Sequence, residues 1–387
     1  MSQTPLLSYI VLSYNYERYI AQTLQSILSQ TVQDFEIVVV DDASKDRSVE
    51  VVSSFDDPRI RLFRNPTNIG GAASYNRAVE AARGEWLVNL DADDWIAPNK
   101  AELQLAAVAS DPCLDVVGSY VSVFDQNDAP HPSSDLLKSI FSSPHNFNLV
   151  DTWIGANHLC RSSTMVRASA HRKIGLDDPD MVRAPDYELW TRALHNGLRM
   201  AVLPQELTFI RMHSRGVTHA DPLGSFLEMS YAMLRNLVPV CEARALYPSL
   251  SRIVSWVGQH QALGSLLPVE GYRLLGMFMQ ATRVSGFAEF KAMLANRSEQ
   301  PQLAEIGRRT LALVNPGALP YQELSKLRTD LVLYIEARDY WHNRSDQWEQ
   351  RYNDLGAQAA APAIPSAPSV SNAAASLLKR VIRKIQS

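Results

Sequence analysis

The most constraining feature of the sequence is a pair of uninterrupted apolar runs that each end in carboxylates. The first, "FEIVVVDD", ends at Asp41 and Asp42, and the second, "EWLVNLDADDW", ends at Asp91, Asp93 and Asp94. Continuous apolar runs of this length suit strands that are buried on both faces, as the strands of parallel sheets are. Helix-like patterns separate the runs, and this β-α-β-α order predicts a doubly wound, mostly parallel α/β sheet.

We expect the two acidic clusters at one edge of that sheet, because open α/β sheets bind ligands beyond the carboxyl ends of their strands. Like charges packed this closely cost free energy unless a cation lies among them. Oxygen-rich pairs on a turn suit Mg²⁺ or Mn²⁺, which can bind phosphate oxygens in turn. The alternative is that each pair only supplies turn and helix-cap oxygens. We favour that alternative for either pair alone, and a metal-bridged diphosphate for the two together.

Length, charge and cysteine content limit the class of protein. A chain of 387 residues that is 46% hydrophobic can form a sizeable core and two domains with appendages. The net charge of −4 gives no support to nucleic-acid binding by the whole protein. The three cysteines fit neither a metal-ligand spacing nor a disulfide framework, which indicates a reducing cytosol. We expect no signal peptide and no spanning helix, hence a soluble protein or one resting on a membrane surface.

Two long stretches together resemble a known family. They are "SYIVLSYNYERYIAQTLQSILSQTVQDFEIVVVDDASKDRS" and "NIGGAASYNRAVEAARGEWLVNLDADDW", and they resemble the family 2 glycosyltransferases of the GT-A fold. The resemblance covers about residues 1–220 in order. It implies a GT-A domain over 1–220, with a nucleotide-binding half at 1–112 and an acceptor half at 113–220.

The resemblance also implies a nucleotide-sugar donor and names its site. Asp42 matches the aspartate that hydrogen-bonds the base, usually uracil, and Asp41 lies beside it. The remaining residues expected around the nucleotide are Leu12, Ser13, Tyr14, Asn68, Gly70 and Asp91.

The D-x-D motif of the family falls on Asp91 and Asp93. The first aspartate is expected near the ribose and the metal, and the second is expected to ligate the Mg²⁺ or Mn²⁺ that bridges the phosphates. His213 matches a histidine that can approach the metal or diphosphate, whereas His219 has less support. Asp94 is expected to be a helper or a cap.

Asp186 matches the family's general base. It lies in "RAPDYELWTRALHNG", which resembles the Glu-Asp motif that opens a helix, with Pro185 in place of the usual glutamate. A carboxylate placed there can remove the proton of an attacking hydroxyl. The alternative is an N-cap for a helix over 187–196; we favour the base.

Two further features concern the acceptor and the donor. Trp153, Asn157 and His158 fall where family members form the acceptor pocket, although a tryptophan there can equally be a core residue. The family commonly has Ala-Arg-Asn in the helix after the Asn-x-Gly turn, and this chain has a tyrosine, Tyr75, where that arginine is expected.

The rest of the chain is predicted to be mostly helical. We expect a helical extension over 221–355, with possible self-association through 321–355. An Ala/Pro/Ser linker at 356–375 then leads to a basic amphipathic tail at 376–387. We favour contact of this tail with an anionic membrane surface; a helix docked on a partner and a disordered tail are the alternatives.

These features lead to one functional hypothesis and two rivals. The hypothesis is an inverting, metal-dependent glycosyltransferase that moves a sugar, most simply from a UDP-sugar, to a hydroxyl of a glycan or lipid-linked acceptor. The expected location is the cytoplasm or the inner face of the membrane. One rival is a nucleotidyltransferase that makes sugar nucleotides, although the first strand lacks the Gly-rich basic loop that such an enzyme would show after it. The other rival is a non-catalytic sugar-nucleotide-binding scaffold.

Overall fold

A computed structural model describes residues 4–212, 222–259, 281 and 284–295 of the chain. The strands are β1 Leu7–Ser13, β2 Phe35–Asp41, β3 Ile60–Arg64, β4 Trp86–Asp91, β5 Trp95–Ile96, β6 Val116–Phe124, β7 Met165–Arg167 and β8 Met200–Arg211. The helices are α1 Ile20–Leu28, α2 Ser48–Ser53, α3 Gly71–Ala81, α4 Lys100–Ser110, α5 Ser134–Phe141, α6 Ala168–Ile174, α7 Pro185–His195, α8 Pro222–Ala243, α9 Tyr247–Gln259 and α10 Phe287–Ala295. The alternation of strands and helices in the first third confirms the α/β prediction.

The eight strands form one sheet in the order β3-β2-β1-β4-β7-β6-β8-β5. Strands β1 to β4, which come from the predicted β-α pattern, pair with one another in parallel. Strand β6 also pairs in parallel with β8. The short strand β7 is antiparallel to β4 and to β6, and β5 is antiparallel to β8. The central sheet is therefore mostly parallel, as predicted.

Strand register brings the ends of three strands to one level. Ser13 pairs with Asp41 across β1 and β2, and Leu12 pairs with Asp91 across β1 and β4. The residues expected to bind the nucleotide therefore meet at one edge although they are far apart in sequence. This follows from the parallel pairing, because the carboxyl ends of neighbouring parallel strands lie together.

Alternate side chains of the central strands pack on opposite faces of the sheet. Tyr9 and Val39 belong to a core shared with α1, whereas Ile10 and Val38 belong to a core shared with α3. This two-sided burial explains why β2 reads as a continuous apolar run rather than an alternating one.

Gly84 lies between α3 and β4, where the chain passes close to β1. Helix α3 ends at Ala81, and Ala82 is already extended. A Cβ atom on Gly84 would lie 2.6 Å from the backbone nitrogen of Ser8 in β1. The glycine is needed because the chain passes directly against β1 before β4 begins.

The chain divides into two compact units, Met1–Met229 and Ser230–Ser387. Within the second unit, Tyr231 packs against Phe287 and Phe290 with ring centroids 5.1 Å apart in each pair. No helix in the described part of the chain is long and apolar enough to cross a bilayer. The segment 321–355, the linker at 356–375 and the tail at 376–387 lie outside the described residues, so the expectations for them stay predictions.

Candidate active site

Asp41 fixes the loop that follows β2. Its carboxylate accepts the backbone N–H of Ser44 at 2.9 Å and the Ser44 hydroxyl at 2.5 Å. The Ser44 hydroxyl oxygen also accepts the N–H of Asn15, which has a positive φ of 61°. The side-chain oxygen of Asn15 in turn accepts the N–H of Lys45 at 2.8 Å. The loops after β1 and β2 are thus joined through polar side chains at the edge where a nucleotide is expected.

Asp42 holds the Asn-x-Gly turn. One of its oxygens accepts Asn65 Nδ2 and the backbone N–H of Ile69, each at 2.8 Å, and the other accepts the N–H of Gly70 at 2.9 Å. Gly70 has a φ of 89°, a conformation that favours glycine. The structure therefore brings Asp42 together with the 68–70 turn, as the resemblance implies, and assigns Asp42 a structural contact that sequence did not predict.

The D-x-D turn is held from two sides. The hydroxyl of Thr23, in α1, donates to the carbonyl oxygens of Ala92 at 2.9 Å and Asp94 at 2.7 Å. Arg211, at the end of β8, donates its Nε–H to the carbonyl oxygen of Asp93 at 3.0 Å. These contacts fix the backbone from Asp91 to Asp94 independently of any ligand.

Arg211 is a buried cation that sequence reasoning missed. Its guanidinium also donates to the carboxylate of Asp128 and to Gln22 Oε1, and it lies 4.3 Å from the ring centroid of Tyr19. A strand-terminal arginine gives no periodic signal, and its partners come from segments more than 80 residues away. Only the folded chain reveals that this side chain supports the turn at residues 91–94.

Burial and neighbouring negative charge raise the pKa values of two carboxyl groups on this turn, those of Asp91 and Asp94. Loss of solvation, followed by repulsion from Asp93, raises the pKa of Asp91 to about 6. Burial, then Asp93 and Asp91, raise the pKa of Asp94 well above its ordinary value. The repulsion predicted from sequence is thus present, and a bound cation would relieve it.

Asp186 lies near this turn, at the start of α7. Helix α7 begins at Pro185 with Ala184 as its N-cap, so Asp186 is the second helical residue and the N-cap alternative is wrong. Its Oδ2 accepts Asn157 Nδ2 at 2.7 Å, and its Oδ1 accepts the N–H of Tyr187 at 2.8 Å. Asn157, expected in the acceptor pocket, therefore orients the candidate base.

Burial raises the pKa of Asp186 above its ordinary value, while the positive charge of Arg161 is the largest opposing influence. Repulsion from Asp186 also contributes to the raised pKa of Asp91. These two carboxylates therefore share one electrostatic environment although 95 residues separate them in sequence. A group that binds beside Asp91 would come close to the candidate base.

Arg161 is the second cation that sequence reasoning missed. It forms an ion pair with buried Asp177 at 2.7 Å, and its guanidinium carbon lies 4.2 Å from the ring centroid of Tyr75. The Tyr75 hydroxyl lies 3.2 Å from His171 Nε2. The family commonly has an arginine at the position of Tyr75. In this chain the Tyr75 ring contacts an arginine from a different segment, Arg161.

Two residues expected in the acceptor pocket have other partners. Trp153 is fully buried, and its indole N–H donates to the carbonyl of Phe147 at 3.0 Å, so the core alternative describes its position. His158 Nδ1 lies 3.0 Å from the carbonyl oxygen of Ile140, and its ring lies 4.0 Å from that of His145. Because it is fully buried, Trp153 offers no ring face to a sugar.

The donor set fits a divalent cation that is shared with phosphates. In the described residues, no group of three or more His, Cys, Asp or Glu side chains could hold a metal ion by itself. Mg²⁺ commonly uses only one or two carboxylates and completes its shell with water and substrate phosphates. Asp91 and Asp93 match that pattern, whereas an oxygen of Asp94 already accepts the Arg211 backbone N–H. His213 lies outside the described residues, so its expected metal role stays a prediction.

Comparison with known proteins places the chain in a family. The family model described as glycosyl transferase family 2 matches residues 8–175. EpsE of Bacillus subtilis, named as a glycosyltransferase, is 31% identical over 219 residues, which cover 55% of this chain and 76% of EpsE. WfaP of Escherichia coli, a UDP-Glc:alpha-D-GlcNAc-diphosphoundecaprenol beta-1,3-glucosyltransferase, is 27% identical over 213 residues, or 55% of this chain and 80% of WfaP.

Solved structures agree on the fold. Residues 1–349 of S. aureus TarS in complex with UDP superpose with a TM-score of 0.55 at 18% identity, covering 86% of this chain and 91% of that one. The same TarS fragment in complex with UDP-GlcNAc gives the same TM-score at 19% identity. The expected GT-A fold is confirmed, and together with the sequence matches it establishes that this chain is a glycosyltransferase belonging to glycosyl transferase family 2.

Proposed function

We propose that the chain is an inverting, metal-dependent glycosyltransferase that moves a sugar from a UDP-sugar to a hydroxyl acceptor. The observation that carries the proposal is the meeting of Asp41 and Asp91 at the carboxyl edge of the sheet, on the two strands that flank β1, with Asp186 close enough that its charge contributes to the raised pKa of Asp91. A donor bound at Asp91 would therefore present its reacting carbon to a carboxylate that can act as a base.

The base of the nucleotide binds at the ends of β1 and β2 in this proposal. Asp42 Oδ2 accepts one hydrogen bond, from Gly70, and a carboxylate oxygen can accept a second. It could therefore receive the imide N–H of uracil while continuing to hold the 68–70 turn. The UDP-linked names of WfaP and of the TarS complexes support uracil as the base.

Asp91 and Asp93 would hold Mg²⁺ or Mn²⁺ on the diphosphate, and the ion would supply charge stabilisation for the leaving group. Around it, Thr23 and Arg211 keep the turn in place through its backbone carbonyls. Because the turn is already in place, it does not need to rearrange when the diphosphate binds, and this favours the transition state.

Asp186 then removes the proton of the acceptor hydroxyl. The acceptor oxygen forms a bond to the anomeric carbon from the face opposite the leaving group, the bond from that carbon to the diphosphate breaks, and UDP departs with its electron pair. The configuration of the anomeric carbon inverts in this single displacement. Asn157 and the N–H of Tyr187 hold the two carboxylate oxygens in place for proton transfer.

The acceptor that we propose is a hydroxyl of a glycan or a lipid-linked glycan at the inner face of the cytoplasmic membrane. The name of WfaP gives a sugar on a lipid diphosphate as its acceptor, which supports a lipid-linked glycan as the class of acceptor. WfaP aligns with 55% of this chain. The basic tail at 376–387 would bring the enzyme to an anionic surface, and 321–355 would allow self-association.

The test is release of UDP from a panel of UDP-sugars, with and without Mn²⁺. The wild-type chain should release UDP from at least one donor only when the metal is present, and Asp93→Asn and Asp186→Asn should each reduce the release to a small residual rate. Asp111→Asn, which alters a surface ion pair with Arg199, serves as the matched control. UDP release that is equal in wild type and Asp93→Asn would contradict the proposal.

A second assay, which supplies UTP and a sugar phosphate and follows pyrophosphate, separates the two rivals when it is run beside the first. A nucleotidyltransferase would release pyrophosphate from UTP and a sugar phosphate, and a scaffold would bind a UDP-sugar without releasing UDP. Pyrophosphate release in place of UDP release would therefore favour the first rival, and donor binding with no turnover on any acceptor would favour the second.

A further inference from the structure

Glu228 carries a buried carboxylate that the mechanism above does not use. It lies in α8 and is 3% exposed. Its oxygens accept three consecutive backbone N–H groups: Val182 at 3.0 and 3.1 Å, Arg183 at 2.7 Å and Ala184 at 2.8 Å. Successive N–H groups that converge in this way form an anion-binding concavity, and here the protein's own carboxylate occupies it.

The held peptide leads directly into the candidate base. Ala184 is the N-cap of α7, and its side chain cannot accept a hydrogen bond. Pro185 follows with a fixed φ and no N–H, so the direction of α7 is set by the peptide before it. Asp186 comes next. A shift of residues 182–184 would therefore move the carboxylate of Asp186 with the first turn of the helix.

Asp186 is also tied to a different element through Asn157, whose amide lies 2.7 Å from Oδ2. The base thus has two supports, a side-chain contact from Asn157 and a backbone contact from Glu228. The hydrogen bonds to Glu228 are charge-assisted, and these are stronger and shorter than neutral ones. Their number and burial favour a fixed position for the start of α7.

We propose that Glu228 is a positioning residue for acceptor attack, which sets the place of the Asp186 carboxylate through the N–H groups of residues 182–184. This inference rests on the proposed role of Asp186 as the general base. Glu228 does not touch the reacting atoms. Its effect should therefore fall on the chemical step and leave donor binding at Asp42, Asp91 and Asp93 unchanged.

A matched glutamate elsewhere provides the control. Glu289, in α10, accepts the backbone N–H of Ser285 at 2.7 Å and the Ser285 hydroxyl at 2.8 Å at the start of its helix. Glu289→Gln and Glu228→Gln make the same chemical change to a glutamate that accepts a backbone N–H just before a helix. Only the second lies next to the candidate base.

The experiment measures kcat for sugar transfer and the Kd for UDP with Mn²⁺ in wild type, Glu228→Gln, Glu289→Gln and Asp186→Asn. Glu228→Gln should lower kcat roughly 10- to 100-fold, as expected for a displaced catalytic group, with the Kd unchanged. Glu289→Gln should leave both values unchanged. Added to Asp186→Asn, the Glu228→Gln change should cause no further loss, because the group that it positions is already gone.

Three results would overturn the inference: unchanged kcat in Glu228→Gln, a parallel loss of UDP affinity, or a full further loss in the double variant. If Glu228→Gln fails to fold, Glu228→Asp keeps the charge and should show the same selective loss of kcat. An active Asp186→Asn variant would contradict the proposed function itself, which makes the two failures distinguishable.

Discussion

Arg211 donates its backbone N–H to the Asp94 carboxylate at 2.9 Å, which ties the end of β8 to the turn that follows β4. Asp94 also accepts, through its carbonyl oxygen, the hydroxyl of Thr23 at 2.7 Å. The third aspartate of "LDADD" is therefore a structural residue of this turn. The contact gives a partner for Asp94, whose role as a helper or a cap stays a prediction.

Asp94→Asn should be tolerated better than Asp93→Asn. Burial and neighbouring carboxylates raise the pKa of Asp94 well above its ordinary value, so an amide of the same shape removes a negative charge that these surroundings disfavour. Its oxygen can still accept the Arg211 N–H. Asp94→Ala leaves that buried N–H without an acceptor and should lower the free energy of unfolding by about 1–3 kcal/mol. Urea denaturation measures this difference; equal stability of Asp94→Ala and Asp94→Asn would contradict it.

Arg211→Met should reduce both stability and donor binding. The variant loses the contacts to Asp93, Asp128 and Gln22 and leaves the backbone carbonyl of Asp93 without this donor, at a cost of about 2–4 kcal/mol. Arg167→Met is the matched control, because Arg167 also lies 4.3 Å from a ring centroid, that of Trp86. The control should lose stability but keep its affinity for UDP with Mn²⁺. If both variants bind UDP equally well, Arg211 does not support the site.

Arg161→Met should move the acidic limb of the pH–activity profile to higher pH. A general base works when ionised; burial raises the pKa of Asp186, and the positive charge of Arg161 lowers it again. Removing that charge therefore raises the pKa further, and activity is lost at a higher pH than in wild type. The profile of kcat against pH measures the shift.

The control for that profile is Arg59→Met, which removes a cation that is paired with Asp57 just before β3, at the opposite edge of the sheet. Its acidic limb should coincide with that of the wild type. A limb that stays in place or moves to lower pH in Arg161→Met would show that Arg161 does not act on the base.

Gly84→Ala should destabilise the fold, and Gly71→Ala should not. A Cβ atom at residue 84 would lie 2.6 Å from the Ser8 backbone, whereas at residue 71 it would meet nothing within 4 Å. We expect a loss of about 1–3 kcal/mol for Gly84→Ala from this overpacking. Gly71→Ala should gain about 0.4–1 kcal/mol through the unfolded state. Thermal or urea unfolding of the two variants, compared with wild type, checks the contrast.

Sequence predicted the parts of the fold that depend on local pattern. The apolar runs became β2 and β4 because both faces of the sheet are covered, and their terminal aspartates met because parallel strands share an edge. The contacts of Arg161, Arg211 and Glu228 could not be predicted. Each joins elements that are distant in sequence, and a single charged residue has no periodicity that reveals its partner. Trp153 shows the same limit, since aromatic residues suit both sugar pockets and cores.

Calorimetric titration of UDP, with and without Mn²⁺, tests the central claim most directly. Wild type should bind UDP tightly only when the metal is present, and Asp93→Asn should lose the effect of the metal. Asp186→Asn should bind UDP as wild type does while releasing it from a donor only at a small residual rate, because it lacks only the base. The proposal that Asp91 and Asp93 hold a metal ion on the diphosphate would be contradicted by equal binding of UDP without Mn²⁺. It would also be contradicted if Asp93→Asn kept the metal-dependent affinity.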